Sequence, residues 1–427
     1  MFDPEASDFY DASAVETEFR RVTDICHTCR RCYNLCPSID VLFRALDGPL
    51  VDGEADRLDT KDLRAFSDLC YGCKLCIPHC PYTPPHRWQV DVPRLVFRDR
   101  ASRVKHEGKL GFRERVLSCA DAVGEMGTKA AGIFNSLNES RPVRVLLEKT
   151  LGVHRDRLLP TFAPESFQTW WQRRGGRTRP TGGRTAAADA AVALFVPCVL
   201  NFNAPEVARA AVAVLQKNGC EVVVPPQRCC GMPQLESGDI EGARECRLAN
   251  VNAFAPFARA GYAVVALGPT CGLTLRQEYP LLGADEDGRL VSETTCDIGQ
   301  YLMRRHAEGR LSLDFRRSPG RVLYQVACHL KVQGIGFPSR DLLGLIPGAE
   351  IETVEKCTGH DGTWSMKKEF FPLSLQVGRP VFEEVKTARP DTIASDCSLA
   401  ALQIRQGTGR TAKHPLQILA EAYELSY

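Results

Sequence analysis

Eight of the 19 cysteines fall in two copies of one pattern, Cys26-x2-Cys29-x2-Cys32-x3-Cys36-Pro37 and Cys70-x2-Cys73-x2-Cys76-x3-Cys80-Pro81. Three thiolates two residues apart can wrap one corner of an iron–sulfur cube. The fourth, followed by proline, leaves in another direction and ligates the other cluster. The spacing therefore predicts two [4Fe–4S] clusters, one on Cys26, Cys29, Cys32 and Cys80, the other on Cys70, Cys73, Cys76 and Cys36. A four-cysteine zinc site is built from two Cys-x2-Cys pairs, not from two runs of four that end in proline. A disulfide framework fits the pattern less well still.

A second group of cysteines repeats at longer range. A strand at 191–196 leads to Cys198, a helix follows at 205–217, and a strand at 221–224 leads to Cys229-Cys230-Gly231. A strand at 263–268 then leads to Cys271. The order recurs: a strand at 321–326 and Cys328, a helix at 340–346, a strand at 350–354 and Cys357-Thr358-Gly359, a strand at 392–394 and Cys397. The register is close, with 30 residues between Cys198 and Cys229 and 28 between Cys328 and Cys357. Gln277 and Gln403 each lie six residues beyond the last cysteine of their copy. Cysteines that follow strands gather at the carboxyl ends of a parallel sheet, where such sheets place ligands.

The first copy supplies four soft ligands, Cys198, Cys229, Cys230 and Cys271, which favour an iron–sulfur cluster or zinc over hard cations. Gly231 lets the backbone approach a metal closely. The second copy supplies Cys328, Cys357 and Cys397, with His329 and His360 as candidate fourth donors or as ordinary packing histidines. Three thiolates and one imidazole suit tetrahedral zinc, and His360, three residues after Cys357, is the preferred donor. Cys119, Cys220, Cys246 and Cys296 share no spacing with these and read as small hydrophobes.

The elements that must carry these residues are of two kinds. A short helix at 12–25 leads into the first run, and Leu42, Leu46, Leu63 and Phe66 between the runs indicate a helical ferredoxin. The turn Tyr82–Trp88 is expected to pack over the second cluster. Residues 100–172 read as helical, with Leu110, Phe112, Ile133, Leu137 and Leu146 at helical intervals. The stretch 172–185, rich in Gly and Arg, is expected to be a flexible linker. Trp170-Trp171 reads as a helix end packed on the body rather than an interfacial membrane anchor. The expected fold is thus α+β and multidomain. A helical two-cluster ferredoxin-type domain (1–105) precedes a helical connector and linker (106–189). A duplicated α/β cysteine-rich domain follows, its first copy at 190–318 and a degenerate one at 319–427.

At 427 residues the chain has room for two or three domains. Hydrophobic content of 44% and charged content of 25% are those of a globular protein, and a net charge of +2 argues against nucleic acid as a partner. Thiolate clusters point to a reducing compartment, the cytoplasm or its membrane face. The acidic stretch 1–11 does not read as a secretory signal. The most apolar run, 186–202, is interrupted by Asp189 and Pro197, so no transmembrane helix is expected. A Gly-x-Gly-x-x-Gly fingerprint after a strand is missing, which leaves no evident flavin or nicotinamide site.

With both halves in view the chain resembles the iron–sulfur (C) subunits of anaerobic glycerol-3-phosphate dehydrogenase and the wider heterodisulfide reductase-like group with "CCG" domains. Beyond the two ferredoxin runs, the resemblance is carried by Pro197-Cys198-Val199-Leu200-Asn201, Cys229-Cys230-Gly231-Met232-Pro233 and Thr270-Cys271. Cys328-His329, Gly359-His360-Asp361-Gly362-Thr363, Asp396-Cys397 and His414-Pro415 continue it. In that group a complete unit adds a closing Cys-x2-Cys, and heterodisulfide reductase uses such units to hold noncubane clusters. Here Thr274 stands at the closing position of the first unit, while Thr358 and Ala400 replace two cysteines of the second. The resemblance implies an electron-transfer subunit, an oxidoreductase component that works with a partner. It would relay electrons between an FAD-dependent dehydrogenase, acting on glycerol 3-phosphate or a hydroxy acid, and a quinone, a membrane-anchored partner or another acceptor. A cytoplasmic position, peripheral on the inner membrane face, goes with it. The alternative is a thiol–disulfide or peroxide-linked reductase with catalysis at the first CCG centre.

Overall fold

The computed structural model describes residues 2–179 and 190–427. The chain divides into two compact units, the first running to Ser118 and including Pro233–Ala243, the second comprising Cys119–Met232 and Arg244–Tyr427. The first unit thus takes a short piece from within the first cysteine-rich repeat.

The first unit is helical. Its opening helix, Ala12–Cys29, is capped by the Asp11 carboxylate, which accepts from the Ala14 N–H, and it ends where Arg30 turns left-handed at φ 50°. It is one turn longer than the expected 12–25, so Cys26 and Cys29 stand on one face of its last turn. Pro37 opens the helix Pro37–Leu46 at a position where its missing N–H costs nothing, with Cys36 just outside. Helix Thr60–Leu69 is held at its start by reciprocal Asp59 and Asp62 caps and stops at Cys70. Leu42, Leu46, Leu63 and Phe66 share one core with Phe19, Phe43 and Val96. Each such side chain contributes about 1.5–3 kcal/mol on burial, and together they fix the two cysteine runs.

The second unit carries two parallel sheets. Strands β1 (Ala191–Phe195), β2 (Glu221–Val223), β3 (Ala263–Ala266) and β4 (Thr295–Asp297) lie in the order β2-β1-β3-β4. Strands β5 (Arg321–Gln325), β6 (Glu350–Val354) and β7 (Thr392–Ser395) lie in the order β6-β5-β7. In each sheet the strand leading to the lone cysteine is central, paired in register with the strands leading to the other two. β1 is buried throughout, as a strand covered on both faces must be. β4 has no counterpart in the sequence reading, because Thr-Cys-Asp carries no apolar run. The last helix, Pro415–Ala422, belongs by sequence to the second repeat but packs on helix Pro205–Lys217 of the first. Leu416, Ile418, Leu419 and Tyr423 join its Val207, Val214 and Leu215 in one core.

Within the second unit, helices Ala120–Lys129, Ala131–Glu139 and Arg141–Leu151 bear out the helical reading. Ile133, Leu137 and Leu146 are 65%, 42% and 59% exposed. The period is right and the apolar side chains point outward. Trp170 and Trp171, on helix Phe167–Arg173, are buried in the core. The residues after them are not a free linker as far as 179. The Arg177 carbonyl accepts from Trp171 Nε1 and from the Val224 N–H, and its guanidinium pairs with Glu221. Residues 180–185 of the expected linker lie outside the described residues. Segment 155–161 is strapped across both repeats. Gln403 and Gln406 hold Arg157 and Leu158 from the second repeat, and Asn203 Nδ2 donates to the Thr161 carbonyl from the first. Among the described residues no helix is long and apolar enough to cross a membrane.

Candidate metal centres

In the first unit the two cysteine runs cross, the end of each reaching the other. Burial pushes the Cys26 thiol up to about 12, and its sulfur neighbours are Cys80, Cys32 and Cys29. Cys32 is pushed up to about 11 by burial and then by Cys80 and Cys29. Cys76, more deeply buried, is raised well above its ordinary value by burial and then by Cys70, Cys36 and Cys32. Cys80, fourth of the second run, therefore stands among Cys26, Cys29 and Cys32, and Cys36, fourth of the first, stands beside Cys76. Cys73 lies in the turn between Cys70 and the short helix Cys76–His79. Thiols this basic stay protonated at neutral pH unless a metal takes the proton's place, so the donor chemistry fits thiolate-bound clusters. Arg30 and Arg31 line the cavity around Cys26, Cys29, Cys32 and Cys80, and buried Lys74 sits in the second run. These cations offset the negative charge of such a group.

Tyr82 lines the same cavity, and its N–H donates to Cys80 Sγ at 3.4 Å. The His86 and Trp88 rings lie 5.2 and 4.6 Å from the Tyr82 ring. This aromatic group sits by the first thiol set, not the second as the sequence suggested, because Cys80 carries the turn across with it.

In the second unit, Cys198 opens helix Cys198–Phe202 after β1, Cys229 and Cys230 follow β2, and Cys271 lies in helix Pro269–Leu273 after β3. The four converge. Cys230 is held well below its ordinary value by hydrogen bonds from Cys229 and Cys271, aided by the Met232 N–H and the Thr274 hydroxyl. Cys229, hydrogen-bonded to Cys198 and Cys230, is raised. Cys271 is raised too. Gly231 and Gly359 occupy equivalent turns at φ 90° and 74°. A Cβ on Gly359 would fall 2.1 Å from the Ser374 carbonyl oxygen, which only glycine avoids.

Residues 19–106 match the family described as "Citrate utilization protein B Fer4-like domain", and 192–276 and 322–405 each match "Cysteine-rich domain". The C subunit of anaerobic glycerol-3-phosphate dehydrogenase from Escherichia coli K12 is 30% identical over 402 residues, 93% of this chain and 98% of the relative. The chain belongs to that family. Lactate utilization protein A of Geobacillus thermodenitrificans is 30% identical over 249 residues, 55% of this chain and 98% of the relative. The B subunit of the fumarate reductase (CoM/CoB) of Methanothermobacter marburgensis is 26% identical over 247 residues, 55% of this chain and 46% of the relative. This member of the glycerol-3-phosphate dehydrogenase C-subunit family is an iron–sulfur oxidoreductase chain of mixed α/β class, with one ferredoxin-like region and two cysteine-rich repeats.

The second repeat of this family member is built differently. Cys328 is raised by burial and by Cys357, Cys397 and Asp361. Cys397 is raised by burial, although the N–H groups of Ala400 and Leu399 bond it, and it too faces Asp361. His360 has Arg157 as its charged neighbour; burial and that guanidinium hold it neutral, and its Nδ1 is buried without a hydrogen-bond partner. His329 bonds Thr270 Oγ1 through Nδ1 at 2.9 Å. The charged group facing Cys328 and Cys397 is thus Asp361, which sequence reasoning passed over in favour of the histidine before it. Among the described residues no three His, Cys, Asp or Glu side chains close around a point as a single ion requires. Zinc with bonds of about 2.3 Å needs its sulfurs about 3.8 Å apart, whereas an iron–sulfur cube spreads its thiolates wider.

Three further contacts were not legible as site features. Thr274 reaches Cys230, Asp121 Oδ2 accepts from the Cys229 N–H at 2.7 Å, and Cys271 has Cys397 of the other repeat among its charged neighbours. No disulfide joins any of the 19 cysteines. Cys220, Cys246 and Cys296 are buried among apolar side chains, and their thiols are pushed up by that burial.

Proposed function

We propose that the chain is the electron-relay component of a flavin-dependent dehydrogenase, with the organic oxidation carried out on a partner. Cys26, Cys29, Cys32 and Cys80 would hold one [4Fe–4S] cluster, and Cys70, Cys73, Cys76 and Cys36 the other. Cys198, Cys229, Cys230 and Cys271 would hold a further cluster. Such clusters accept and pass single electrons at potentials set by charge, hydrogen bonding and burial. The chain's own residues position and insulate them: Arg30, Arg31 and Lys74 lower the cost of added negative charge, and the Tyr82–His86–Trp88 group screens one side from water. The partner would be an FAD-dependent dehydrogenase acting on glycerol 3-phosphate or a hydroxy acid, and the acceptor a quinone or a membrane-anchored protein at the inner face of the cytoplasmic membrane. The division 1–105, 106–189, 190–318 and 319–427 is the working assignment of domains. For the second repeat we propose a structural lobe; zinc on Cys328, Cys357 and Cys397, with His360 or Asp361 as fourth donor, would require these side chains to draw together first.

The observation that carries this reading is the crossing of the two cysteine runs. In anaerobically purified full-length protein, Cys29→Ser and Cys80→Ser should damage the same cluster, while Cys36→Ser and Cys73→Ser damage the other. Zinc in place of iron, or stoichiometric FAD released from the pure chain on denaturation, would contradict it. A second reading, a thiol–disulfide or peroxide-linked reductase, is favoured by one feature. A cavity of about 250 Å³ opens on Cys198 and Cys229, with Asp121 in its wall. Turnover of a disulfide by the isolated chain would select this second reading.

A further inference from the structure

A larger cavity, about 430 Å³, lies elsewhere in the second unit. Its walls include Val199, next to Cys198, and Ser398, next to Cys397, closed over by segment 155–161. Five arginines line it, Arg141, Arg144, Arg155, Arg157 and Arg405, against two acidic residues, Glu139 and Asp156. Arg155 is matched by Glu148. The others are not. Arg144, buried, spends its donors on the carbonyls of His154, Arg155 and Arg157, which carry no net charge. Arg157 is 2% exposed, has the neutral Gln403 amide oxygen as its side-chain hydrogen-bond acceptor and the Phe371 ring 6.0 Å from its guanidinium, and its Nε and Nη2 find no acceptor. Arg141 and Arg405 are exposed and form no ion pair among the described residues.

Burial and the neighbouring Arg144 draw Arg157 down to about 10, which leaves it cationic at neutral pH. Two adjacent buried cations without a contact carboxylate are costly. An anion in the cavity would relieve that cost, and a planar oxyanion matches the guanidinium fork. Leu158, Leu159, Leu399 and Leu402 provide an apolar wall beside the charges. A volume of this size suits a small organic molecule.

We propose that this cavity binds a small organic anion, with its carboxylate or phosphate head on the arginines and its apolar body on the leucines. The site stands whether or not the first repeat holds a cluster. The test is calorimetric titration of the purified holoprotein at low salt with pentanoate, pentyl phosphate and 1-pentanol. One equivalent of an anionic probe should bind, the tighter of the two naming the head group, and the alcohol should not. Arg141→Gln with Arg405→Gln, both exposed, should weaken that binding about tenfold, while Arg44→Gln, which is not in the cavity wall, should not. Arg157→Lys, which keeps the charge but removes the fork, should also weaken it. Should that variant fail to fold, the double variant decides. Equal binding of alcohol and anion, wild-type affinity in the double variant, or no saturable binding up to about 10 mM would overturn the proposal.

Discussion

The two cysteine-rich repeats share a parallel sheet, a lone cysteine after the central strand and a positive-φ glycine after the second, yet they present different chemistry. In the first, one low-lying thiol, Cys230, is surrounded by Cys229, Cys271 and the Thr274 hydroxyl. In the second, Thr358 occupies the position equivalent to Cys230, and the sulfurs of Cys328 and Cys397 look toward a carboxylate instead. One residue in the Cys-Cys-Gly turn therefore decides whether a mutually hydrogen-bonded thiol group can form. A duplicated scaffold does not imply a duplicated site.

The sharpest break in this comparison is Cys230→Ser. It should remove all iron assigned to the first repeat, seen as a fall in iron per chain and loss of the matching electron paramagnetic resonance signal. Cys357→Ser should leave both intact, and the reverse result would exchange the roles of the repeats. Thr274→Cys is the next test. It adds a thiolate within reach of Cys230 and should alter the resonance signal of the first repeat without loss of iron. An unchanged spectrum would mean that Thr274 does not face the metal.

Much of this contrast was legible in the sequence, because cysteines after strands report where a parallel sheet ends. Thr274, Thr358 and Ala400 could be named as departures from spacing alone. What could not be read were contacts between distant segments. Asp361 lies beside His360 in sequence, and only the path of the 357–363 turn decides which faces the sulfurs. Ile133, Leu137 and Leu146 keep a helical period whether the stripe faces inward or outward. β4 is three residues long and becomes a strand only because β3 is there to pair with it.

Two smaller effects test whether the repeats are separable. Leu419, buried at 1% exposure, lies in the second repeat's sequence and in a core that both repeats build. Leu419→Ala should cost about 2–5 kcal/mol, measured by urea unfolding, and should destabilise the first repeat as much as the second. A transition confined to the second repeat would show the two to be independent. The smallest effect comes from the seam. Asp297, buried and facing Asp396, is pushed up to about 7 by burial first and then by that neighbour. Its folded form binds a proton that the unfolded chain releases near pH 4, so stability falls as pH rises from about 4 to about 7 and then levels. The slope is at most about 1.4 kcal/mol per pH unit, and Asp297→Asn should flatten it between pH 5.5 and 7. An unaltered slope in that variant would exclude the carboxyl as its source.

The placement of helix Pro415–Ala422 on the first repeat has a consequence for biosynthesis. A nascent chain completes Cys229-Cys230-Gly231 long before this helix leaves the ribosome. At about 5–20 residues per second, the first repeat waits roughly ten to forty seconds with the flank of Pro205–Lys217 uncovered. Its thiols are then together in sequence but not yet held by a finished core. A cluster bound there would therefore be loaded into a finished core only once this helix has been made, whereas the helices that hold the two ferredoxin runs, all but the short 233–243 piece of their unit, are complete about 300 residues of translation earlier.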